Sequence, residues 1–322
     1  MGGEEDGKAR SQTAEAATVC DQSVDAGRRA GQSADAPTSD SADLMRKRGD
    51  GGMGMRFDLE TSYTIRERIG NAPFAVLPIG AVEAHGPHLP LGTDNVLAAW
   101  LARELAERGG GLLLPLLPYG QVWSLASFPG SVGISNGTIV SLVTEIGRHL
   151  HAQGVNKLAI VNGHLGNAAA LKEASRRLYE DVPRLKTFVF FYPGTSDVIR
   201  RVCESPRPHK DYFHACEIET SCMLHAAPEL VDMGKAIDDV PDIPDTVDMT
   251  PTPWETFTST AVLGKATLAD AAKGRAILEQ AVSVMLKALN SPPPAAADAK
   301  ANANEPTSKT GGAAEDGYGG PI

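Results

Sequence analysis

The chain has 322 residues, of which 42% are hydrophobic, and a formal net charge of −10 at pH 7. This acidic balance argues against a nucleic-acid partner, because proteins that bind nucleic acids present a basic face. No apolar run approaches the about 20 residues that a membrane span needs, and the first residues lack the apolar segment of a secretory signal. Four cysteines without C-x-x-C spacing are typical of reduced thiols, so we predict a cytoplasmic protein that does not bind membranes.

Composition divides the chain into three parts. Residues 1–52 and 291–322 are rich in small and polar residues and offer few periodic apolar positions. Such segments cannot bury enough surface to offset the entropy lost on ordering. We therefore predict disordered tails over these two ranges and one folded domain over residues 53–290.

Within this domain, strand-like and helix-like patterns alternate. Residues 74–80 predict a buried strand, and residues 95–107 predict a helix with Leu97, Leu101 and Leu105 on one face. The other predicted elements, in chain order, are an imperfect or edge strand at 111–117, a helix at 138–153, a strand at 157–161, a helix at 167–179, a strand at 187–192, and helices at 217–224 and 268–289. Strands separated by helices predict an α/β fold with a mostly parallel sheet.

Residues able to bind metal follow two of the predicted strands. Glu83 and His85 leave the first strand two residues apart, which puts both side chains on one side of an extended backbone. Asp94 begins the next helix, and His164 follows the strand at 157–161. Ligands of parallel sheets bind beyond the carboxyl ends of the strands, so we expect these residues to meet. Mixed carboxylate and imidazole ligands favour Zn²⁺, Mn²⁺ or Fe²⁺ over Ca²⁺ or Mg²⁺.

A third segment, residues 214–221, adds His214 and Glu219. We predict that Glu219 completes the metal shell and takes part in catalysis. His214 is the candidate general acid or base toward a leaving nitrogen. A carboxylate in the middle of such a set, here Asp94, can bridge two ions that together activate a water molecule and polarise a carbonyl.

Each of these residues also has a simpler interpretation. A histidine beside a turn is often structural, and Asp94 can be only a helix cap. His88 either supports a ligand or makes a buried structural hydrogen bond, and Glu217 is either solvated or a support for the ligands. The joint pattern, rather than any single position, favours a metal site.

Four sequence blocks resemble the signatures of the creatininase family, also called the creatininase/formamide hydrolase family. They are GAVEAHGPHLPLGTD at 80–94, FPGS at 128–131, NGHLGN at 162–167 and HACEIETS at 214–221. The resemblance implies a three-layer α/β/α sandwich and a site for two divalent ions. It places the family's metal ligands at Glu83, His85, Asp94 and His164. It places the acid/base histidine at His214.

The resemblance also implies the type of reaction. Members of the family hydrolyse amides such as creatinine, a formamido-pyrimidine nucleotide or the C-terminus of the mycofactocin precursor peptide. We therefore expect a metal-dependent amidohydrolase that cleaves a C–N bond in a small polar substrate by metal-activated water. A homo-oligomer, a hexamer by analogy with creatininase, is expected as well.

Two departures from creatininase bear on this expectation. Creatininase has a metal-binding glutamate two residues after its equivalent of His164, where this chain has Gly166. A second ion would then depend on Glu219 or on water, or would be bound weakly. Creatininase also closes its pocket with tryptophans between the last two motifs, whereas no tryptophan lies between Trp123 and Trp254 here. Creatinine is therefore not the expected substrate.

Three questions remain open at the level of sequence. The segment 193–213 carries five basic side chains that either contact an anionic substrate or face solvent: Arg200, Arg201, Arg207, His209 and Lys210. A peptidase acting on a modified peptide C-terminus would use the same metal chemistry in a more open groove. A non-catalytic binding protein on the same fold is a further alternative function, and the intact set of predicted ligands argues against it.

Overall fold

The computed structural model describes residues 55–291. The predicted tail at 1–52 lies outside the described residues, and so does the predicted tail at 291–322 except for Ser291. The described helices are α1 (Ser62–Arg68), α2 (Thr93–Gly109), α3 (Asn136–Ala152), α4 (Ala168–Asp181), α5 (Ser196–Val202), α6 (Glu217–Ala226) and α7 (Ala271–Asn290). The described strands are β1 (Met55–Arg56), β2 (Ala75–Ile79), β3 (Leu112–Leu113), β4 (Lys157–Asn162), β5 (Lys186–Phe190), β6 (Asp238–Asp239) and β7 (Gly264–Lys265).

Five of these strands form a parallel sheet in the order β1-β3-β2-β4-β5. The central pair is β2 and β4, whose register places Ala75 opposite Leu158 and Ile79 opposite Asn162. Both strands therefore end at the same level. The short strands β6 and β7 pair with each other in antiparallel fashion.

Helices cover both faces of the sheet because successive strand residues point to opposite sides. On one face, Val76 packs in a core cluster with Leu101 of α2 and Ile277 of α7. On the other face, Leu77 packs in a second cluster with Val143 of α3. The predicted three-layer α/β/α sandwich with a mostly parallel sheet is thus confirmed.

The edge of the sheet departs from the sequence prediction. The strand predicted at 111–117 shrinks to Leu112–Leu113, with one isolated bridge from Leu117 to Ile79. Pro115 and Pro118 have no N–H to donate, so they cannot extend the ladder. Two short helices, α1 and α5, were not predicted, because seven residues provide too few turns for a clear period.

The topology creates a crevice beside β2. The chain leaves β2 through α2 and enters β3 on one side, whereas β4 pairs with β2 on the other side. Such a switch in strand order opens a binding crevice at the carboxyl ends of the strands. Asn167 ties the loops there together: its amide donates to the Gly80 carbonyl at 3.0 Å, and its Oδ1 accepts from the Gln121 N–H at 2.9 Å. Within residues 55–291, no helix combines the length and apolarity of a membrane span.

Candidate metal site

The crevice brings together the four metal ligands predicted from the blocks at 80–94 and 162–167. Glu83 and His85 lie in the loop after β2, Asp94 lies in the first turn of α2, and His164 follows β4. All four side chains are buried. The loop after β4 approaches α2 so closely that a Cβ at Gly163 would lie 2.2 Å from the Asp94 carbonyl oxygen. Only glycine permits this approach.

The third segment contributes His214 and Glu219, which are also buried. Between them, Ala215 adopts a left-handed conformation with φ of 47°, which costs a non-glycine residue on the order of 1 kcal/mol or more. Its N–H donates to Glu219 Oε2 at 2.6 Å. The same oxygen lies 3.4 Å from His85 Nε2, so this strained turn aims Glu219 into the cluster.

Backbone carbonyls fix the orientation of the three imidazoles. His85 donates from Nδ1 to the Glu83 carbonyl at 3.1 Å, and His164 donates from Nε2 to the Gln121 carbonyl at 2.6 Å. His214 donates from Nε2 to the Ala84 carbonyl at 2.8 Å. Since a carbonyl only accepts hydrogen bonds, each neutral ring presents its other nitrogen as a lone pair to the cluster. Metal-binding histidines are held in this way.

Asp94 lies between two of these imidazoles. Its Oδ2 is 3.1 Å from His164 Nδ1, and its Oδ1 is 3.5 Å from His85 Nε2. Glu83 Oε1 lies 3.1 Å from His164 Nδ1 and 3.6 Å from His214 Nδ1. The two oxygens of Asp94 therefore face two different groups of donors, which is the position that a bridging carboxylate occupies.

The donor atoms fit a divalent metal. Glu83 Oε2, His85 Nε2 and Asp94 Oδ2 are buried, and none has a hydrogen-bond partner outside the cluster among the described residues, although buried polar atoms are normally paired. Two triads, Glu83/Asp94/His164 and His85/Asp94/Glu219, each keep their donor atoms within 4.8 Å of one another. Ligand atoms around one tetrahedral Zn²⁺ are roughly 3.3–3.6 Å apart. A third triad, Glu83/His85/His214, meets the same criterion.

The carboxylates change the proton affinity of the imidazoles. Burial alone lowers the pKa of His85, but Glu219 and Asp94 outweigh it and raise the pKa well above the ordinary value of 6.5. Burial is likewise outweighed at His164, where Glu83 and Asp94 raise the pKa. The pKa of His214 is lowered, first by burial and then by the charge of His85. Without metal, His85 and His164 therefore tend to be protonated. The added proton of each ring lies on the nitrogen that would otherwise bind a cation.

This arrangement predicts a pH-dependent stabilisation by metal. A raised folded-state pKa stabilises the metal-free fold below about pH 6.5, and this contribution is lost as the pH rises through the folded pKa. Metal binding requires deprotonated rings. The increase in Tm caused by Zn²⁺, relative to EDTA, should therefore be several degrees larger at pH 8.5 than at pH 6, because about 1 kcal/mol moves the Tm of a domain of this size by roughly 2–4 °C. Thermal unfolding at both pH values measures this difference, and a Zn²⁺ shift that is independent of pH would contradict the assignment.

A cavity of about 260 Å³ opens over the cluster. Two of its lining residues are Trp123 and Trp254, and the Trp254 ring meets His214 edge-to-face with centroids 5.1 Å apart. The sequence interpretation missed both residues as parts of the site, because they are distant in sequence and follow no metal motif. Since two tryptophans do line the cavity, the sequence argument against creatinine no longer holds.

The basic side chains of residues 193–213 do not line this cavity, although Tyr212 and Phe213 of the same segment do. Arg200 pairs with Asp197 on α5, and His209 and Lys210 lie near Asp248 at 3.3 and 3.6 Å. No arginine or lysine is among the described residues that line the cavity over the cluster. The solvent-facing interpretation of this segment is the one that the structure favours.

Two other residues have structural partners. His88 Nε2 lies 2.9 Å from Thr220 Oγ1, which is the buried structural hydrogen bond considered for it. Glu217 is fully buried, so its interpretation as a solvated residue is wrong. Its carboxylate accepts from the Ser205 N–H at 2.6 Å and from Lys273 Nζ at 2.6 Å, which fixes the segment before His214.

Gly166 occupies a position where no side chain fits. A Cβ there would lie 2.4 Å from both the Gln121 carbonyl oxygen and His164 Nε2, the two atoms of the bond that orients His164. We expect Gly166→Ala to lower the free energy of unfolding by about 1–3 kcal/mol and metal affinity by about 10- to 100-fold. Denaturant unfolding and metal titration measure the two effects. Gly70→Ala is the matched control, because no atom lies within 4 Å of its new Cβ; equal effects in both variants would contradict the prediction.

Fold and site together define a class of protein. An α/β/α sandwich with buried carboxylates and imidazoles at the carboxyl edge of its parallel sheet is typical of metal-dependent hydrolases. The family model described as creatininase, creatinine amidohydrolase, matches residues 59–289. The chain belongs to the creatininase family and is a hydrolase of that family.

Individual relatives agree with this assignment. The chain is 30% identical over 227 residues to a creatinine amidohydrolase of Pseudomonas putida, covering 66% of this chain and 87% of the relative. It is 34% identical over 168 residues to a mycofactocin precursor peptide peptidase of Mycobacterium ulcerans, covering 49% of this chain and 60% of that relative. A crystal structure of creatinine amidohydrolase superposes with a TM-score of 0.67 at 28% identity, covering 74% of this chain and 97% of the other. Similar solved creatininases include a Zn–Zn form of a mutant and a Mn form, both with a TM-score of 0.64 and 28% identity. The match to the Zn–Zn form covers 72% of this chain and 96% of the other chain. The match to the Mn form covers 73% of this chain and 97% of the other chain.

Proposed function

We propose that this protein is a metal-dependent amidohydrolase that cleaves a C–N amide bond in a small polar substrate. Glu83, Asp94 and His164 would hold one divalent ion, and His85, Asp94 and Glu219 would hold a second. The observation that carries the proposal is the set of buried donor atoms that converge on one another without hydrogen-bond partners outside the cluster. Desolvated carboxylates in this state are costly unless a cation neutralises them.

The ions and the side chains would divide the chemistry. Divalent ions held there supply Lewis acidity, which lowers the pKa of water and polarises an amide carbonyl. Hydrolysis adds the oxygen of water to the carbonyl carbon, breaks the C–N bond and delivers a proton to the leaving nitrogen. His214 would carry that proton, a role supported by its geometry, because Nε2 is engaged by the Ala84 carbonyl and Nδ1 faces the cluster beside Glu83. Glu219 would contribute to catalysis by holding an ion together with His85.

Zn²⁺ and Mn²⁺ are the first candidates for the native metal. Solved relatives in this family are Zn–Zn and Mn forms, and mixed carboxylate–imidazole shells suit both ions. Fe²⁺ is compatible with the same donors. Two ions per subunit is the stoichiometry that the two triads around Asp94 support.

The proposal is tested in two stages. Metal analysis of the purified full-length chain should find up to two divalent ions per subunit. The metal-loaded protein is then incubated with cyclic amides including creatinine, with formamides and with short peptides, and the released amine is measured. Turnover of an amide that is abolished by EDTA and restored by Zn²⁺ or Mn²⁺ is the expected result. Absence of bound metal at neutral pH would contradict the proposal and favour a non-catalytic binding role.

A peptidase acting on a modified peptide C-terminus is the second candidate. It is favoured by the 34% identity to the mycofactocin precursor peptide peptidase. In addition, Trp123 and Leu165 line the cavity yet remain 47% and 38% exposed, so a longer substrate would find apolar surface outside it. Cleavage of a peptide amide with a higher kcat/KM than any small amide in the same screen would favour this alternative.

Two further expectations stay predictions. Cytoplasmic location follows only from sequence features. Homo-oligomerisation, as a hexamer by analogy with creatininase, is checked by light scattering coupled to gel filtration.

A further inference from the structure

Aromatic side chains form part of the walls of the cavity over the cluster. Trp123, Phe191, Tyr212, Phe213 and Trp254 line it, and the polar groups beyond the cluster include the hydroxyls of Ser124, Thr250 and Thr252. Since no arginine or lysine is among the lining residues described by the structure, these walls offer no cation to pair with an anionic group. An unpaired charge buried there would lose its hydration without compensation.

Basic residues of segment 193–213 line another cavity or pair with surface carboxylates. Arg200 and Arg207 line a separate cavity of about 220 Å³. Lys210 Nζ lies 3.6 Å from Asp248 and 3.8 Å from Asp211. A substrate anion against the aromatic walls would therefore not meet these side chains in the structure as it stands.

Part of the aromatic wall comes from residues 247–254, which are held close to the site by contacts with Tyr212. Val247 and Trp254 of this segment both line the cavity. The Tyr212 hydroxyl donates to Asp248 Oδ1 at 2.9 Å, and the Tyr212 ring lies 5.8 Å from that of Trp254. Trp254 also meets His214 edge-to-face. A group attached to the reacting amide would therefore lie next to the Trp254 ring where it extends beyond His214.

The apolar surface continues from the cavity to the outside. Trp123 and Leu165 line the cavity and are also partly exposed. Large apolar groups that are exposed beside a site are typical of surfaces that bind apolar ligands. The short helical turn of Trp123–Leu125 packs beside that of Trp254–Thr256, so the two tryptophans lie on neighbouring turns.

From this arrangement we propose, on the basis of the proposed function, that the substrate carries an uncharged aromatic or apolar substituent that binds against Trp123 and Trp254. A substituent with an anionic group at this position is rejected. The inference narrows the proposed class of small amides to those in which an apolar substituent adjoins the polar amide group, and it makes the two tryptophans determinants of specificity.

Binding of hydroxamates tests the inference without requiring the true substrate. Hydroxamates chelate divalent ions, so acetohydroxamate, benzohydroxamate and 4-carboxybenzohydroxamate share one anchor and differ only in the substituent. Their Kd values are measured on the full-length, Zn²⁺-loaded protein by calorimetry. We expect benzohydroxamate to bind at least about 10-fold tighter than acetohydroxamate, and the carboxylated compound to lose that gain.

Variants of the two tryptophans show whether the gain in affinity for benzohydroxamate comes from their rings. Trp123→Ala and Trp254→Ala should each reduce the ratio of the benzohydroxamate to the acetohydroxamate affinity at least about threefold. Trp100→Phe is the matched control, because Trp100 packs against His225 and does not line the cavity. The chain has three tryptophans, so in the Trp100→Phe background both remaining fluorophores report on the cavity, and benzohydroxamate should change their emission.

The possible failures are distinguishable. If acetohydroxamate and benzohydroxamate bind equally, or if the carboxylated compound binds as tightly as benzohydroxamate, the inference is overturned while the metal site stands. If none of the three binds more tightly with Zn²⁺ than with EDTA, the proposed metal site fails, and the inference fails with it. Trp123 lies on a partly exposed turn, so its variant keeps the test decisive even if Trp254→Ala does not fold.

Discussion

Asp94→Ala is expected to abolish metal binding and turnover together. The two oxygens of Asp94 face His164 and His85 at 3.1 and 3.5 Å, so one substitution removes a donor from both triads. Lewis-acid catalysis supplies several kcal/mol of transition-state stabilisation, and each 1.36 kcal/mol is tenfold in rate. We therefore expect kcat/KM to fall at least about 1,000-fold and the bound metal to fall from two ions to none. Metal analysis and steady-state kinetics measure both quantities on the same sample.

Two further variants make this result interpretable. Asp94→Asn preserves the size of the side chain but not its charge, and should lose metal nearly as completely as Asp94→Ala. Asp197→Ala removes a carboxylate from the exposed surface of α5, and should leave metal and turnover unchanged. Full metal content and full activity in folded Asp94→Ala would refute the bridging role.

The central part of the fold could be predicted from local sequence patterns. The apolar run before Gly80 and the period of Leu97, Leu101 and Leu105 each reflect one face of a single element. The structure places β2 at Ala75–Ile79 and α2 at Thr93–Gly109, close to both predictions. Local periodicity is sufficient here because each element buries a regular side against the core.

Elements held mainly by tertiary contacts escaped prediction. β6 and β7 are two-residue strands that exist only because Asp238 and Asp239 pair with Lys265 and Gly264 across the chain. Two residues carry no period that a sequence pattern could reveal.

The candidate site could likewise be predicted only in part from the sequence. Glu83, His85 and Asp94 lie within one short segment after a strand, so their spacing and the topology rule suffice to bring them to one place. The role of Gln121 could not be predicted, because it orients His164 through its backbone carbonyl rather than through its side chain. Trp254 reaches the cavity through a segment with little regular structure, for which sequence patterns give no path.

His214→Ala is expected to separate metal binding from turnover. His214 donates from Nε2 to the Ala84 carbonyl and leaves Nδ1 3.6 Å from Glu83, so it can accept a proton beside the cluster and deliver it to a leaving nitrogen. Both triads that share Asp94 remain complete without it. We expect the bound metal to be retained and kcat to fall by about 100- to 10,000-fold, the usual contribution of a general acid or base.

The alternative to this role is a third ligand triad. Glu83, His85 and His214 also converge closely enough to hold an ion, and in that case His214→Ala would lose metal together with turnover. A substrate whose leaving amine is already activated, such as an anilide with an electron-withdrawing ring, needs less protonation of the leaving nitrogen. Its kcat should therefore suffer less from the substitution than that of an alkyl amide, whereas loss of an ion would lower both kcat values alike. His149→Ala, on the exposed face of α3, is the matched control and should change neither metal content nor kcat.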